Sequence, residues 1–254
     1  MKNKLVFSLL AICCGVFAHI GTGFATTSVL NSTVDTLTVT GYSNTGSGGA
    51  LQTKTLDWYS GTGYGIKSTS NEVDPEHAVD NNGYQEALLL NFGASTQLNS
   101  VMVGWTSAGR DSDITVLAWN PSAYMAGSSV PAPVLAGATY SSLIGLGWSL
   151  VGNYANLVAG QSMAVNGGSN PVSSSYWLVM AYNSLIGVAA SASSDTTAKS
   201  YVADTSPDYG KFYQVTYSAG TRTPPGKVPE PSTGLLLVLA LFGLIGMRIR
   251  KQSV

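Results

Sequence analysis

The sequence predicts an all-β body, a single antiparallel β-sandwich, with an apolar segment at each end of the chain. Three observations predict it. Short runs rich in Val, Ile, Leu, Tyr and Trp recur from residue 28 to residue 217, separated by Gly, Asn, Ser and Pro, which is the pattern of strands and turns. No amphipathic helix of useful length interrupts them. Five tryptophans supply large apolar surface, and burying one large apolar side chain stabilises by roughly 1.5–3 kcal/mol.

The elements follow in order. Residues 1–25 read as a secretory signal: Lys2 and Lys4 form a basic start, residues 5–20 are apolar, and Gly23-Phe24-Ala25 places small residues where a signal peptidase reads them, so cleavage is expected after Ala25. Cys13 and Cys14 would leave with this segment. The mature chain then has no disulfide, no thiol nucleophile and no cysteine metal site. A lipoprotein signal at these cysteines is the rival reading, but Ile12 or Cys13 then stands where a small residue is needed.

Residues 26–218 form the expected body. Val34, Leu37 and Val39 alternate with threonines, as a strand does. Residues 56–59 suit a short strand, 60–65 a turn, and 71–83 a polar loop holding Glu72, Asp74, Glu76, His77, Asp80, Asn81 and Asn82. Strands are expected at 86–92, 98–105 and 114–119, and their short spacing suggests antiparallel neighbours. Further strands are expected at 147–154, 176–182 and 212–217. The Pro/Ala/Ser segment at 121–133 and the Ala/Ser stretch at 188–198 read as loops. Residues 219–227, with Pro224 and Pro225, are a linker.

Residues 228–254 are a distinct tail. Pro229 and Pro231 oppose a helix start. A membrane helix is expected over 233–249, uncharged up to Met247 and reaching Arg248 in its last turn. Its seventeen residues rise roughly 26 Å, near the lower limit for spanning a bilayer. Arg248, Arg250 and Lys251 should stay on the cytoplasmic side, which leaves Val228, Pro229, Glu230 and Pro231 just outside the membrane.

Charged residues are only 10% of the chain, against about 25% in ordinary soluble domains. Between residues 26 and 229 there are seven basic and twelve acidic side chains, a net charge of −5. That balance excludes nucleic acid and an anionic lipid surface as natural partners.

Val228-Pro229-Glu230-Pro231, the apolar run, and Arg248-Ile249-Arg250-Lys251 together closely resemble the PEP-CTERM sorting signal of Gram-negative bacteria. The resemblance implies recognition by exosortase, a membrane cysteine transpeptidase, cleavage near the motif, and release or transfer to the cell surface after transient anchoring in the inner membrane. A second resemblance lies in the body. His77-Ala78-Val79-Asp80-Asn81-Asn82-Gly83, residues 86–92, Val103-Gly104-Trp105, Asp111-Ser112-Asp113-Ile114 and Tyr176-Trp177-Leu178-Val179 are similar to the exosortase-dependent surface protein family. More loosely, they are similar to discoidin-like and galactose-binding-like jelly rolls. This second family implies a location and a processing route, and no reaction.

The acidic loop is the candidate site. Asp74, Glu76, Asp80, Asn82, Asp111 and Asp113 offer the hard oxygen ligands that calcium prefers, although their order does not fit an EF-hand. The competing reading is of solvated loop acids, with Asp80 and Asp113 capping turns. No cofactor is expected beyond such a structural calcium. His77 is the one histidine of the mature chain, and as a general base it would need a neighbouring hydroxyl and an orienting carboxylate such as Asp80 or Asp113. No Gly-x-Ser-x-Gly stands out, and Glu76, Glu86 or Asp111 make only a weak glycosidase pair. Tyr42, Tyr59, Tyr64, Tyr84, Tyr124 and Tyr209 either stack on sugar rings or close the ends of the sandwich. The expected function is therefore structural or adhesive, in or on an exopolysaccharide layer, and not enzymatic. A sugar-binding module, with or without calcium, and a secreted hydrolase are the alternatives.

Overall fold

A computed structural model describes residues 25–33, 36–70, 72, 77–108, 112–121, 131–186 and 207–220. The signal segment before Ala25, most of the linker and the whole sorting tail lie outside the described residues. Asp74, Glu76, Asp111 and Tyr124 lie outside them as well. Among the described residues no helix is long and apolar enough to cross a membrane, and the helix expected over 233–249 is not among them.

The described chain is all-β, with short 3-10 turns and no α-helix. Its strands are β1 Thr26–Val29, β2 Thr38–Ser43, β3 Gln52–Lys54, β4 Leu56–Tyr59, β5 Gly63–Ile66, β6 Val79–Asp80 and β7 Glu86–Thr106. Then come β8 Ile114–Trp119, β9 Trp148–Tyr154, β10 Ser162–Ala164, β11 Ser174–Ala181 and β12 Tyr209–Ala219. Every pairing is antiparallel. The strands bond into one continuous sheet with the path β4-β5-β12-β7-β11-β8-β9.

The 21-residue β7 makes this possible. The sequence suggests two strands, 86–92 and 98–105, meeting as antiparallel neighbours. Instead they are the two halves of one bent strand and do not pair with each other. Gly93 sits at the bend with φ 68°, a conformation that a residue with a Cβ rarely adopts, and its N–H donates to Asn91 Oδ1 at 2.9 Å. The first half lies between β2 and β11. The second half lies between β12 and β10. The strand at 114–119 is also not a neighbour of β7, because β11 inserts between them. Sequence proximity suggested the shorter connection; burial of β11 on both faces favours the central place.

The burial pattern explains the sequence. Ala87 to Leu90 are all buried, as are Ile114 to Ala118 and Trp177 to Ala181. Such unbroken apolar runs mark strands covered on both faces. One face contributes Leu88, Leu90, Val116, Trp177 and Val179 to the main core, shared with Leu98, Val101 and Val103 from the other half of β7 and with Phe212 and Val215. The opposite face, with Leu89, Leu117, Leu178 and Met180, packs under Leu135, Tyr140, Leu143 and Ile186. This cover comes from residues 131–147 and the turn Ser184–Ile186. Its backbone is tied down by Leu51 N–H to Ala138 O at 2.7 Å and Gly137 N–H to Leu51 O at 3.0 Å. In the second half of β7 only Leu98, Val101 and Val103 are buried while their neighbours are partly exposed, as in a strand with one wet face. Trp177 is the largest fully buried side chain, and its indole N–H donates to Ser174 O at 3.0 Å, so its burial leaves no polar atom stranded.

Candidate functional site

The described acids beside β7 form a buried polar site in two parts. Its first part centres on Glu86, the first residue of β7, which is 1% exposed. Glu86 Oε2 accepts from Asp80 N at 3.1 Å, and Glu86 Oε1 meets the Ser68 hydroxyl. Ser68 Oγ also contacts Ser43 Oγ at 2.6 Å, and the Ser68 N–H donates to Glu72 Oε2. Lys54 Nζ donates to Ser68 O at 2.9 Å. Burial pushes the Glu86 carboxyl well above the ordinary glutamate range; the Asp80 and Glu72 charges push the same way, and the bonds from Ser68 and Asp80 N oppose them. A neutral Glu86 suits the geometry, because its own proton can serve the contact with Ser68 and leave the Ser68 proton for Ser43. Tyr140, covering the same end, is buried and donates to Gln85 O at 3.1 Å. Its hydroxyl is pushed well above its usual range by burial and then by Glu86.

The second part is a polar clasp across three segments. Asp208 Oδ1 accepts from Asp113 N at 2.9 Å, and Oδ2 accepts from Asn81 Nδ2 at 2.7 Å. Asp208 N–H returns a bond to Asn81 Oδ1 at 2.7 Å. Asp113 Oδ1 accepts from Asn156 N at 2.7 Å, and Asn81 Nδ2 also donates to Tyr182 O at 2.9 Å. Asp113 and Asp208 are 4% and 3% exposed. Carboxylates held this way join the start of β8, the start of β12 and the loop after β6 into one unit.

The expected site residues therefore divide. Asp80 Oδ1 accepts from Asn82 N at 2.9 Å, the turn-capping role weighed for it in the sequence. Asp80 and Asp113 are buried, and not the solvated loop acids of that reading. The bonds of Asp113 reach across the fold to Asn156 and Asp208. Asp74, Glu76 and Asp111 lie outside the described residues. Among the described residues, no group of three or more His, Cys, Asp or Glu side chains is arranged to hold a metal ion. Asp208 and Asn81 were not singled out as a pair: 127 positions separate them, and nothing local marks either one.

His77 Nδ1 contacts Tyr59 Oη at 3.2 Å and its Nε2 contacts Glu72 O at 3.3 Å. A serine-based nucleophile would need one of those places. Of the tyrosines considered for stacking on sugars, Tyr209 is 1% exposed and belongs to the interior, because it pairs with Asp80 in mid-sheet. Tyr59 lies beneath Lys211 Nζ, 4.3 Å from its ring centroid, with Trp105 4.1 Å away on the same ammonium. Tyr64 packs edge-on against Trp58 and donates to Asn31 Oδ1 at 3.0 Å. Tyr84 is exposed and Tyr42 half-buried.

The described body thus has a tied-down interior. A family model described as the PEP-CTERM protein-sorting motif matches residues 227–251. The chain carries a PEP-CTERM sorting signal. The match takes in Val228, Pro229, Glu230 and Pro231 together with Arg248, Arg250 and Lys251. Signals of this kind are recognised by exosortase, so the chain is an exported, exosortase-targeted surface protein that transits the membrane. No curated protein and no solved structure gives a significant match.

Proposed function

We propose that this PEP-CTERM protein is a structural or adhesive component of the exopolysaccharide layer, acting by binding and not by catalysis. The observation that carries the reading is the sorting motif at 227–251 joined to an all-β body. Signal peptidase would cut after Ala25, the tail would hold the chain briefly in the inner membrane, and exosortase would then release or transfer it at the Pro229-Glu230-Pro231 turn. The low charge of the body supports the same reading, since a hydrated, weakly charged surface suits a polysaccharide matrix. The galactose-binding-like jelly roll belongs to this proposal; an experimental structure whose strand path forms two Greek keys would support it.

The test is a pull-down of the full-length chain with the host's own exopolysaccharide, paired with mass spectrometry of the mature C-terminus. Retention on the polysaccharide and a chain shortened near Pro231 are expected. A mature chain that keeps Arg248 to Lys251 would refute the processing step, and a processed chain recovered free of polysaccharide would refute the matrix role.

Sugar recognition is the second reading, favoured by the exposed Tyr84 and the half-buried Tyr42 and Tyr64. A calcium ion held by Asp74, Glu76, Asp80, Asn82, Asp111 and Asp113 would assist it. Loss of polysaccharide binding in chelator, restored by calcium, is the outcome that reading requires.

A further inference from the structure

Two asparagine-glycine pairs occur in the chain, Asn82-Gly83 and Asn166-Gly167. Such a pair can react with itself, because the backbone nitrogen that follows an asparagine can attack that residue's side-chain amide. A Cβ on the attacking residue crowds the approach, and glycine has none. The fold treats the two pairs differently.

Asn166 is clamped. Its Nδ2 donates to Val172 O at 2.8 Å, its Oδ1 accepts from Val172 N at 2.7 Å, and its own N–H donates to the Tyr154 hydroxyl at 2.9 Å. An attack by Gly167 N needs the side chain to turn, and both bonds to Val172 must break first. Asn82 lies in the loop between β6 and β7. That loop is fastened at its ends, by Asn81 in the clasp and by Gln85 N–H, which donates to Asn44 Oδ1 at 2.8 Å. Between these ties Gly83 and Tyr84 are exposed. Gly83 has φ 83°, and a Cβ built there would meet nothing within 4 Å. Among the described residues, the Gly83 N–H donates no hydrogen bond. The attacking group thus lies in an exposed, uncrowded turn.

We propose that Asn82 is a site of spontaneous deamidation in the folded protein, with water as the only co-reactant, and that Asn166 is held back from the same reaction by its clamp. A base takes the Gly83 amide proton, and Gly83 N bonds to Asn82 Cγ. The Cγ–Nδ2 bond breaks, and the amide nitrogen leaves as ammonia with a proton returned to it. The product is a five-membered succinimide ring. Water then opens the ring on either side. Addition at Cγ breaks the Cγ–N bond and leaves an aspartate at 82. Addition at the main-chain carbonyl carbon breaks the original peptide bond and leaves an isoaspartate, in which the chain runs through Cγ. Both products place a new carboxylate two residues from the buried Asp80, whose Oδ1 holds the Asn82 N–H. The isoaspartate also lengthens the connection between β6 and Glu86 by one backbone atom.

The proposal is independent of the matrix reading, because it is tested on purified chain without exosortase or polysaccharide. Full-length chain in mild detergent is held at mildly alkaline and at mildly acidic pH, with circular dichroism confirming that it stays folded. A parallel sample is unfolded in urea. Peptide mapping by mass spectrometry then follows the two pairs over time, and Asn82→Asp supplies the elution position of one of the two products. In the folded chain Asn82 should convert at least about tenfold faster than Asn166, the factor by which two hydrogen bonds slow the clamped residue. In urea the clamp is gone and the two should convert alike. The rate at Asn82 should rise with pH, since the reaction starts with loss of the Gly83 amide proton, and isoaspartate should appear beside aspartate. An Asn82 that keeps its amide in the folded chain while converting in urea, an Asn166 that converts as fast in the folded chain, or a rate at Asn82 indifferent to pH would overturn the proposal.

Discussion

Replacing Glu86 by glutamine should make the protein less sensitive to pH, and more stable than the native chain above the acidic range. Glu86 is 1% exposed and its carboxyl is held well above the ordinary value of 4.5 by burial and by Asp80 and Glu72. The folded chain therefore keeps a proton that the unfolded chain has released. Stability from this group is fully present below the unfolded value, falls as pH rises toward the raised folded value, and is level beyond it. One proton corresponds to about 1.4 kcal/mol per pH unit across that window. Glutamine copies the neutral acid: its carbonyl can accept from Asp80 N, and its amide can donate to Ser68 Oγ, whose proton then serves Ser43. Near pH 4.5 the variant should lie within about 1 kcal/mol of the native chain, the scale of one hydrogen bond. The assay is urea unfolding of both proteins at half-unit steps from pH 4.5 to 8.5, reading the difference between them so that other titrating groups cancel. That difference should shift in favour of glutamine as pH rises. Parallel curves would show that Glu86 titrates alike in both states and would refute the reasoning.

Other perturbations test separate parts of the argument. Asp208→Ala strands the Asp113 N–H and the Asn81 amide, and should cost about 1–3 kcal/mol for each donor; Asp208→Asn should cost less, because one acceptor remains. Gly65→Ala would place a Cβ 2.0 Å from the His77 carbonyl oxygen; a loss of about 3 kcal/mol or a failure to fold is expected, and a native melting curve would show that the two segments lie further apart. Trp177→Ala should cost about 3–5 kcal/mol in urea unfolding. Replacing Pro229, Glu230 and Pro231 by alanine should leave the C-terminus uncut, which intact-mass measurement of the cell-surface fraction reads directly.

Much of this protein was legible in its residues because the relevant signals are local. The Pro-Glu-Pro turn, the uncharged run up to Met247 and the basic cluster at Arg248, Arg250 and Lys251 are contiguous, and lipid and a sorting enzyme both read contiguous chain. The strands expected at 56–59, 147–154, 176–182 and 212–217 were likewise marked by composition, and the structure places strands at 56–59, 148–154, 174–181 and 209–219. Unbroken apolar runs such as 87–90 and 177–181 announced strands without announcing what covers them, because a run buried on both faces has no period of two to give its surroundings away.

Tertiary structure decided the rest. Whether 86–106 is two strands or one depends on β2 and β11 flanking its first half and β12 and β10 its second, and such pairing energy comes from partners far away in the chain. The same holds for the acids. Asp80 and Asp113 look in the sequence like hydrated loop residues, and Glu86 like the first residue of a strand. In the fold they are buried: Ser68 meets Glu86 and the Asn156 N–H donates to Asp113, both from distant segments, while Asp80 takes the nearby Asn82 N–H, and a carboxyl leaves water only where such partners are waiting. Local chemistry thus specified the address and the strands. Long-range hydrogen bonding and burial chose the order of the sheet and the state of its buried carboxyl groups.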